Sequence, residues 1–170
     1  MILSIVTHPN PKILQVPCED INKDFLLSTE IQELIPNMIE TMYSAKGVGL
    51  AAPQIGKTIR ITVINKDTLP RIIKMNTGKI DSSKDLVLVN PVWDRTSRKS
   101  GWDTEGCLSI PKIFGTVKRY KHIKVDAWNQ SSDKISFEAS NFFARVIQHE
   151  IDHLDGILFI EKGKDIYEVE

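Results

Sequence analysis

Residues 149–153 read His-Glu-Ile-Asp-His, two histidines four apart with a glutamate directly after the first. On an α-helix four residues rise about 6 Å and turn about 40° beyond a full revolution. Both imidazoles then lie on one face, within reach of a single metal ion. Glu150 sits about 100° round from His149, which makes it a poor third ligand from the same turn. It can instead edge the site and reach a metal-bound water, the arrangement of zinc hydrolases. The plain alternative is a helix that carries two histidines for no chemical reason. It fits poorly with a chain that has only four histidines and a strong helical pattern around these two.

A third ligand must come from elsewhere in the chain. The longer zinc-peptidase pattern HExxHxxGxxH continues as His149, His153, Gly156 and then Phe159, so its last histidine is missing. His8, His122, Cys18, Cys107 and the carboxylates remain. Cys107 stands out by its setting, Glu105-Gly106-Cys107-Leu108-Ser109. A glycine before it allows close backbone approach or an unusual φ, and a thiolate is a strong ligand for zinc or iron. Cys18 has no such company and reads as a small, partly buried residue.

Three segments together resemble the signature motifs of the peptide deformylases. They are Gly47-Val48-Gly49-Leu50-Ala51-Ala52-Pro53-Gln54, then Glu105 to Ser109, then Gln148 to Gly156. They occur in that family's order and at similar spacing. The opening His8-Pro9-Asn10-Pro11 is also similar, although Lys12 follows where the family often has an arginine. Residues 68–84 match no family pattern.

The resemblance implies a set of roles. Cys107, His149 and His153 would bind one divalent metal, with water in the open fourth position that marks a catalytic site. Iron(II) would be the native ion, with zinc, nickel or cobalt accepted by the same donors. Glu150 would pass the water's proton to the leaving amine. The Gln54 side chain and the Leu108 backbone N–H would hold the oxyanion. Gly47, Val48 and Gly49 would line up the peptide as an added strand opposite Gly106. Val48, Phe142 and Val146 would form the methionine pocket. Arg145 falls at the mouth or packs its stem at the core edge. Gln148, Asp152 or Ser109 would accept from the second nitrogen of a histidine ligand. The substrate would be N-formylmethionyl peptides and nascent chains, with transient ribosome contact.

Composition fits these implications. The 170 residues are read as one catalytic domain spanning 1–170, large enough to bury a core. Lysine plus arginine and aspartate plus glutamate each number 22, so nucleic acid is not an expected main partner. Two cysteines make no disulfide framework, and a free thiolate suits a reducing compartment. The start Met1 to Val6 lacks the basic and long apolar regions of a signal peptide. No apolar run reaches the roughly 20 residues of a membrane span. A cytoplasmic protein is expected, bacterial or an organelle form without its transit peptide. Gly47-Val48-Gly49 lacks the spacing and lysine of a phosphate loop.

The elements that must position these residues can also be read. Thr29 to Gln32 fits a capping box, and Ile31, Leu34, Ile35, Met38, Ile39, Met42 and Tyr43 recur at helical spacing up to a stop before Gly47. Residues 59–64 and 86–89 read as strands, the second ended by Asn90-Pro91. Ile123, Val125 and Ala127, then Ile135, Phe137 and Ala139, alternate with polar residues across a turn at 129–133, which predicts a hairpin. Ser140 or Asn141 caps a second helix with apolar residues on two faces, ended by Gly156. The expected fold is α+β, with antiparallel sheets around a buried metal-binding helix and a second amphipathic helix near the N-terminus. The competing functions are a zinc endopeptidase with another third ligand, a non-catalytic peptide-binding or ribosome-binding relative, and a structural zinc site. Glu150 and Gln54 argue against lost catalysis, and no fourth protein ligand is evident.

Overall fold

The computed structural model describes residues 1–9 and 12–170; Asn10 and Pro11, half of the opening His8–Pro11 segment, lie outside the described residues. Two short helices and a long one come first: a four-residue turn at Lys12–Gln15, α1 at Lys23–Leu26 and α2 at Thr29–Ser44. Strands follow: β1 Gly49–Ala51, β2 Ile61–Ile64, β3 Lys74–Thr77, β4 Leu86–Arg95, β5 Ser100–Cys107, β6 Ile110–Tyr120, β7 His122–Trp128 and β8 Lys134–Ser140. The chain closes with α3 Asn141–Leu154, α4 Phe159–Lys162 and β9 Lys164–Glu168. β1-β2-β4-β7-β8-β3 form a six-stranded sheet and β5-β6-β9 a three-stranded one. All the pairings are antiparallel. This is the α+β architecture read from the sequence.

Side-chain alternation explains how the large sheet is covered twice. Along β2 and β4, Ile61, Val63, Val87 and Val89 pack on the α2 stripe of Ile31, Leu34, Ile35, Met38 and Met42. Ile64, Leu86 and Leu88 point the other way and pack, with Ile123, Val125, Ile135 and Phe137, on Phe143, Ile147 and Ile151 of α3. Successive strand residues face opposite sides, so β2, sandwiched between two helices, is buried on both faces, its one polar residue Thr62 giving its hydroxyl to the Leu50 carbonyl. Full burial of such a side chain stabilises by about 1.5–3 kcal/mol. A smaller cluster, Leu14, Ile110, Val117, Leu158 and Phe159, fixes the small sheet to α4. Helix α3 is thus held between the sheets, and its register sets where the two histidines point.

Several local expectations are corrected. The α2 N-cap is Ser28, one residue earlier than expected, and its side chain makes no capping bond. Gln32 Nε2 instead donates to the carbonyls of Leu26 and Gln130, at 2.9 and 3.0 Å. Asn90-Pro91 does not end β4. The register shifts there, Asn90 takes a φ of 49°, and its side chain clasps Ile21 through N–H and C=O, at 3.0 and 2.8 Å. A bulge absorbs the proline's missing donor and the strand runs on. Ser140 is the α3 N-cap but makes no side-chain capping bond; its hydroxyl lies 3.0 Å from His122 Nδ1. On the second face of α3, Phe142 is exposed rather than buried.

Candidate active site

Cys107 stands at the end of β5, where the β5–β6 register shifts between Gly106 and Cys107. His149 and His153 project from successive turns of α3, ring centroids 5.0 Å apart. One ligand atom from each of Cys107, His149 and His153 lies within 4.8 Å of the others, a set able to hold a metal ion. Cys107 Sγ is 3.2 Å from His153 Nε2. One soft thiolate and two imidazoles are donors that suit zinc or iron(II). Their electrostatics agree. Burial alone would raise the Cys107 thiol, but the charge on His153 and hydrogen bonds from both histidines pull it down to about 5. Burial would lower His149, yet its bonds to Cys107 and Glu105 hold it up at about 10. The donors are therefore poised as an ion pair that a cation can replace.

The orientation of His149 comes from a residue that sequence reasoning missed. Its Nδ1 lies 2.8 Å from Glu105 Oε1, which leaves Nε2 toward the cluster. Glu105 also accepts Arg119 Nε and Nη2 at 3.0 and 2.9 Å and Arg145 Nη1 at 2.6 Å. Burial alone would raise this carboxyl, but the bonds from His149 and Arg119 hold it well below the carboxylate range. Arg119 Nη1 continues to Asp152, whose other oxygen takes Lys162 Nζ at 2.9 Å. The three acceptors expected for this task do other work. Gln148 pins the backbone of Tyr120 at 3.1 and 2.8 Å, Ser109 takes Gln54, and Asp152 accepts from Arg119 and Lys162. Arg145 lines the cleft with its guanidinium held by Glu105 and the carbonyls of Val117 and Gly101. The only signal in the sequence was proximity, Glu105 standing two residues before Cys107 in the Glu105–Ser109 segment.

Gln54 sits in the 3-10 turn after β1 and is 2 % exposed. Its Oε1 accepts the Ala51 N–H at 2.9 Å, and its Nε2 reaches Ser109 Oγ at 3.2 Å and Cys107 Sγ at 3.5 Å. Leu108 begins the two-residue connection from β5 to β6. The N-terminal segment ties these two loops together, Val6 N–H donating to the Gln54 carbonyl and His8 N–H to that of Ser109, both at 2.8 Å. Glu150 is 4 % exposed, and its Oε2 has no hydrogen-bond partner among the described residues. Burial pushes this carboxyl up.

The glycines serve close approach, not unusual φ. Gly47, Gly49 and Gly106 are absent from the positive-φ residues. A Cβ on Gly49 would meet Glu150, one on Gly47 would meet Leu108, and one on Gly106 would stand 2.7 Å from the Phe114 ring. Together these elements enclose a cleft of about 490 Å³. Val48, Phe142 and Val146 give it apolar walls, and Gln54, Cys107, His149 and Glu150 line it as well. Of the residues expected to bind metal, hold the peptide or serve the hydrolysis, all except His153 line this one cleft, and His153 lies against Cys107; Gln148, Asp152 and Ser109 do not line it. Cys18 packs elsewhere, with Ala51 and Leu154.

A thiolate and two helix-borne imidazoles beside an unpartnered buried carboxylate can polarise a carbonyl, deliver a hydroxide and move a proton. Known proteins show the same combination of sequence and fold. The family described as polypeptide deformylase matches residues 2–168. Peptide deformylase 1 of Bacillus cereus is 41 % identical over 169 residues, covering 98 % of this chain and 96 % of that protein. The crystal structure of the Thermotoga maritima peptide deformylase has a TM-score of 0.80 at 32 % identity, covering 96 % of this chain and 99 % of that one. A Met-Ala-Ser-bound peptide deformylase from Acinetobacter baumannii has a TM-score of 0.80 at 28 % identity, covering 95 % of this chain and 98 % of that one. Matched along almost its whole length in sequence and in fold, this chain belongs to the peptide deformylases, the metal-dependent hydrolases that remove the formyl group from the formyl-methionine of new polypeptides.

Proposed function

We propose that residues 1–170 act as one catalytic unit in which Cys107, His149 and His153 hold a single divalent cation, while Glu150, Gln54 and Leu108 serve the hydrolysis. When bound, such a cation supplies Lewis-acid polarisation and lowers the pKa of a water to about 7. Glu150 takes the proton of the attacking water and delivers it to the methionine nitrogen as the C–N bond breaks. Water plus formyl amide thereby become formate and a free amine. The Gln54 amide and the Leu108 N–H donate to the oxygen that gains charge, each such donor being worth about 2.7–4 kcal/mol. The observation that carries this reading is the buried, unpartnered Glu150 Oε2 beside the thiolate–imidazole cluster. A carboxylate left without a donor in a dry wall is destabilised unless a substrate or water supplies one.

The peptide lies along Gly47, Val48 and Gly49 as an added strand with Gly106 opposite. Its first side chain enters the apolar part of the cleft between Val48, Phe142 and Val146. The relative that carries Met-Ala-Ser supports a methionine-first peptide here. Iron(II) is the native ion in this reading, with zinc, nickel or cobalt as working substitutes. The protein acts in the cytoplasm on nascent chains, with transient ribosome contact. Among the described residues no helix is long and apolar enough to cross a membrane.

The test is Glu150→Gln, made anaerobically and assayed for formate release from formyl-Met-Ala-Ser with metal analysis of the same sample. Turnover should drop by about 10²–10⁴-fold with metal content unchanged. Metal loss with activity retained in the remaining loaded enzyme would end the assignment.

A further inference from the structure

Two lysines rim the cleft in backbone conformations that lysine rarely adopts. Lys46 has a φ of 56° and Lys112 a φ of 65°. Lys46 follows the C-cap of α2 in a Schellman turn, its N–H donating to Tyr43 O and that of Gly47 to Met42 O. Glycine usually fills that position. Lys112 sits just inside β6 after Pro111, its carbonyl accepting the Val169 N–H at 2.8 Å. Left-handed backbone costs any side chain with a Cβ, and such outliers cluster where a site needs them. A cation near the C-terminus of α2 gains a little from the helix dipole, which covers Lys46 but not Lys112.

Charge sharpens the pattern. The ionisable residues lining the cleft are Lys46, Glu105, Cys107, Lys112, Arg145, His149 and Glu150. Only Lys46 and Lys112 are exposed. Neither has a carboxylate within ion-pair distance among the described residues, whereas Glu105 and Arg145 neutralise each other. The exposed part of the cleft therefore carries two positive charges without an ion-pair partner among the described residues, Lys46 directly before the strand edge at Gly47–Gly49 and Lys112 on β6, while the carboxylate of Glu150 is buried.

Resting on the deformylase reading above, we propose that Lys46 and Lys112 are specificity residues that favour substrates with an acidic side chain at the second position, directly after formyl-methionine. A peptide whose methionine fills the inner pocket must leave by this mouth. Its next side chain then meets the field of the two ammonium groups that line the cleft. Acidic chains gain there and basic chains are repelled.

The experiment compares kcat/KM for formyl-Met-Glu-Ser, formyl-Met-Ala-Ser and formyl-Met-Lys-Ser at low and high salt. Exposed charge pairs are modest, so the glutamate to lysine ratio should be about three- to tenfold in the unaltered enzyme. It should act mainly through KM and shrink at high salt, because exposed charges are screened beyond about 10 Å at 0.1 M. Lys46→Asn with Lys112→Asn removes both charges in a residue that tolerates positive φ, so the fold is kept. The ratio should then approach one. Lys124→Asn, on the solvent side of β7, should leave the ratio as it was. A ratio near one in the unaltered enzyme, or a ratio that survives the double substitution, would overturn the proposal alone. No hydrolysis of any formyl peptide would overturn the deformylase reading with it.

Discussion

A Cβ placed on Gly49 would stand 2.5 Å from Glu150 Oε1. The strand proposed to receive the peptide and the carboxylate proposed to handle the proton are thus in van der Waals contact, and the smallest residue is the only one that fits between them.

Gly49→Ala should therefore push the Glu150 carboxylate aside without touching a metal donor. A displacement of about 1 Å at a reacting group can cost about 10²-fold. Formate release should fall by that order while metal content stays at one per chain. Wild-type turnover in this variant would show that Glu150 has room to spare.

Glu105→Gln keeps the shape of the side chain and removes its charge. Arg145 would then be buried without a counter-ion, Arg119 would keep only Asp152, and His149 would lose its anionic acceptor. Breaking a buried pair of this kind costs about 3–5 kcal/mol. Loss of a carboxylate behind a histidine ligand weakens metal binding by about 10–100-fold. Denaturant unfolding and competitive metal titration measure the two effects separately, and a variant with unchanged stability would refute the central place given to Glu105.

The two cysteines should separate sharply once metal is removed. Cys107 is pulled down to about 5, whereas burial pushes Cys18 up to about 11 despite the nearby Arg60 charge. Thiolate, not thiol, reacts with alkylating agents. At about pH 7 iodoacetamide should therefore label Cys107 in stripped protein and spare Cys18, and bound metal should protect Cys107. Peptide mapping by mass spectrometry reads the outcome; equal labelling of both would contradict the electrostatics described.

Much of this site was legible before the fold was known, and the gaps have physical causes. The helix period placed His149 and His153 together, because i and i+4 share a face whatever surrounds them. The β7–β8 hairpin followed from clean alternation. The β5–β6 hairpin was missed because its inward positions include Glu105 and Arg119, charges that break the apolar code yet are buried as partners. A pattern of hydrophobicity cannot show that two charges will neutralise each other. The same blindness hid the acceptor of His149.

Iron and zinc forms should differ in lifetime rather than in substrate. With iron(II) bound, air should inactivate the enzyme as the metal and the thiolate are oxidised. Zinc has no accessible redox change. Activity followed over hours in air, on samples of known metal content, should decay faster for iron; equal decay would place the damage elsewhere than the metal centre.

The thiolate and the imidazoles come from different layers. Cys107 belongs to the small sheet and His153 to α3, with a sequence separation of 46. That separation imposes an order on folding. A helix forms in about a microsecond, but on its own α3 offers a cation only two nitrogens. The third donor arrives when the β5–β6 hairpin docks against α3, a non-local and slower step. During refolding, then, a coordination signal such as the visible bands of bound cobalt should trail the helical signal. Binding only to docked chains, the ion adds its free energy to that last step and acts as a latch on the hairpin.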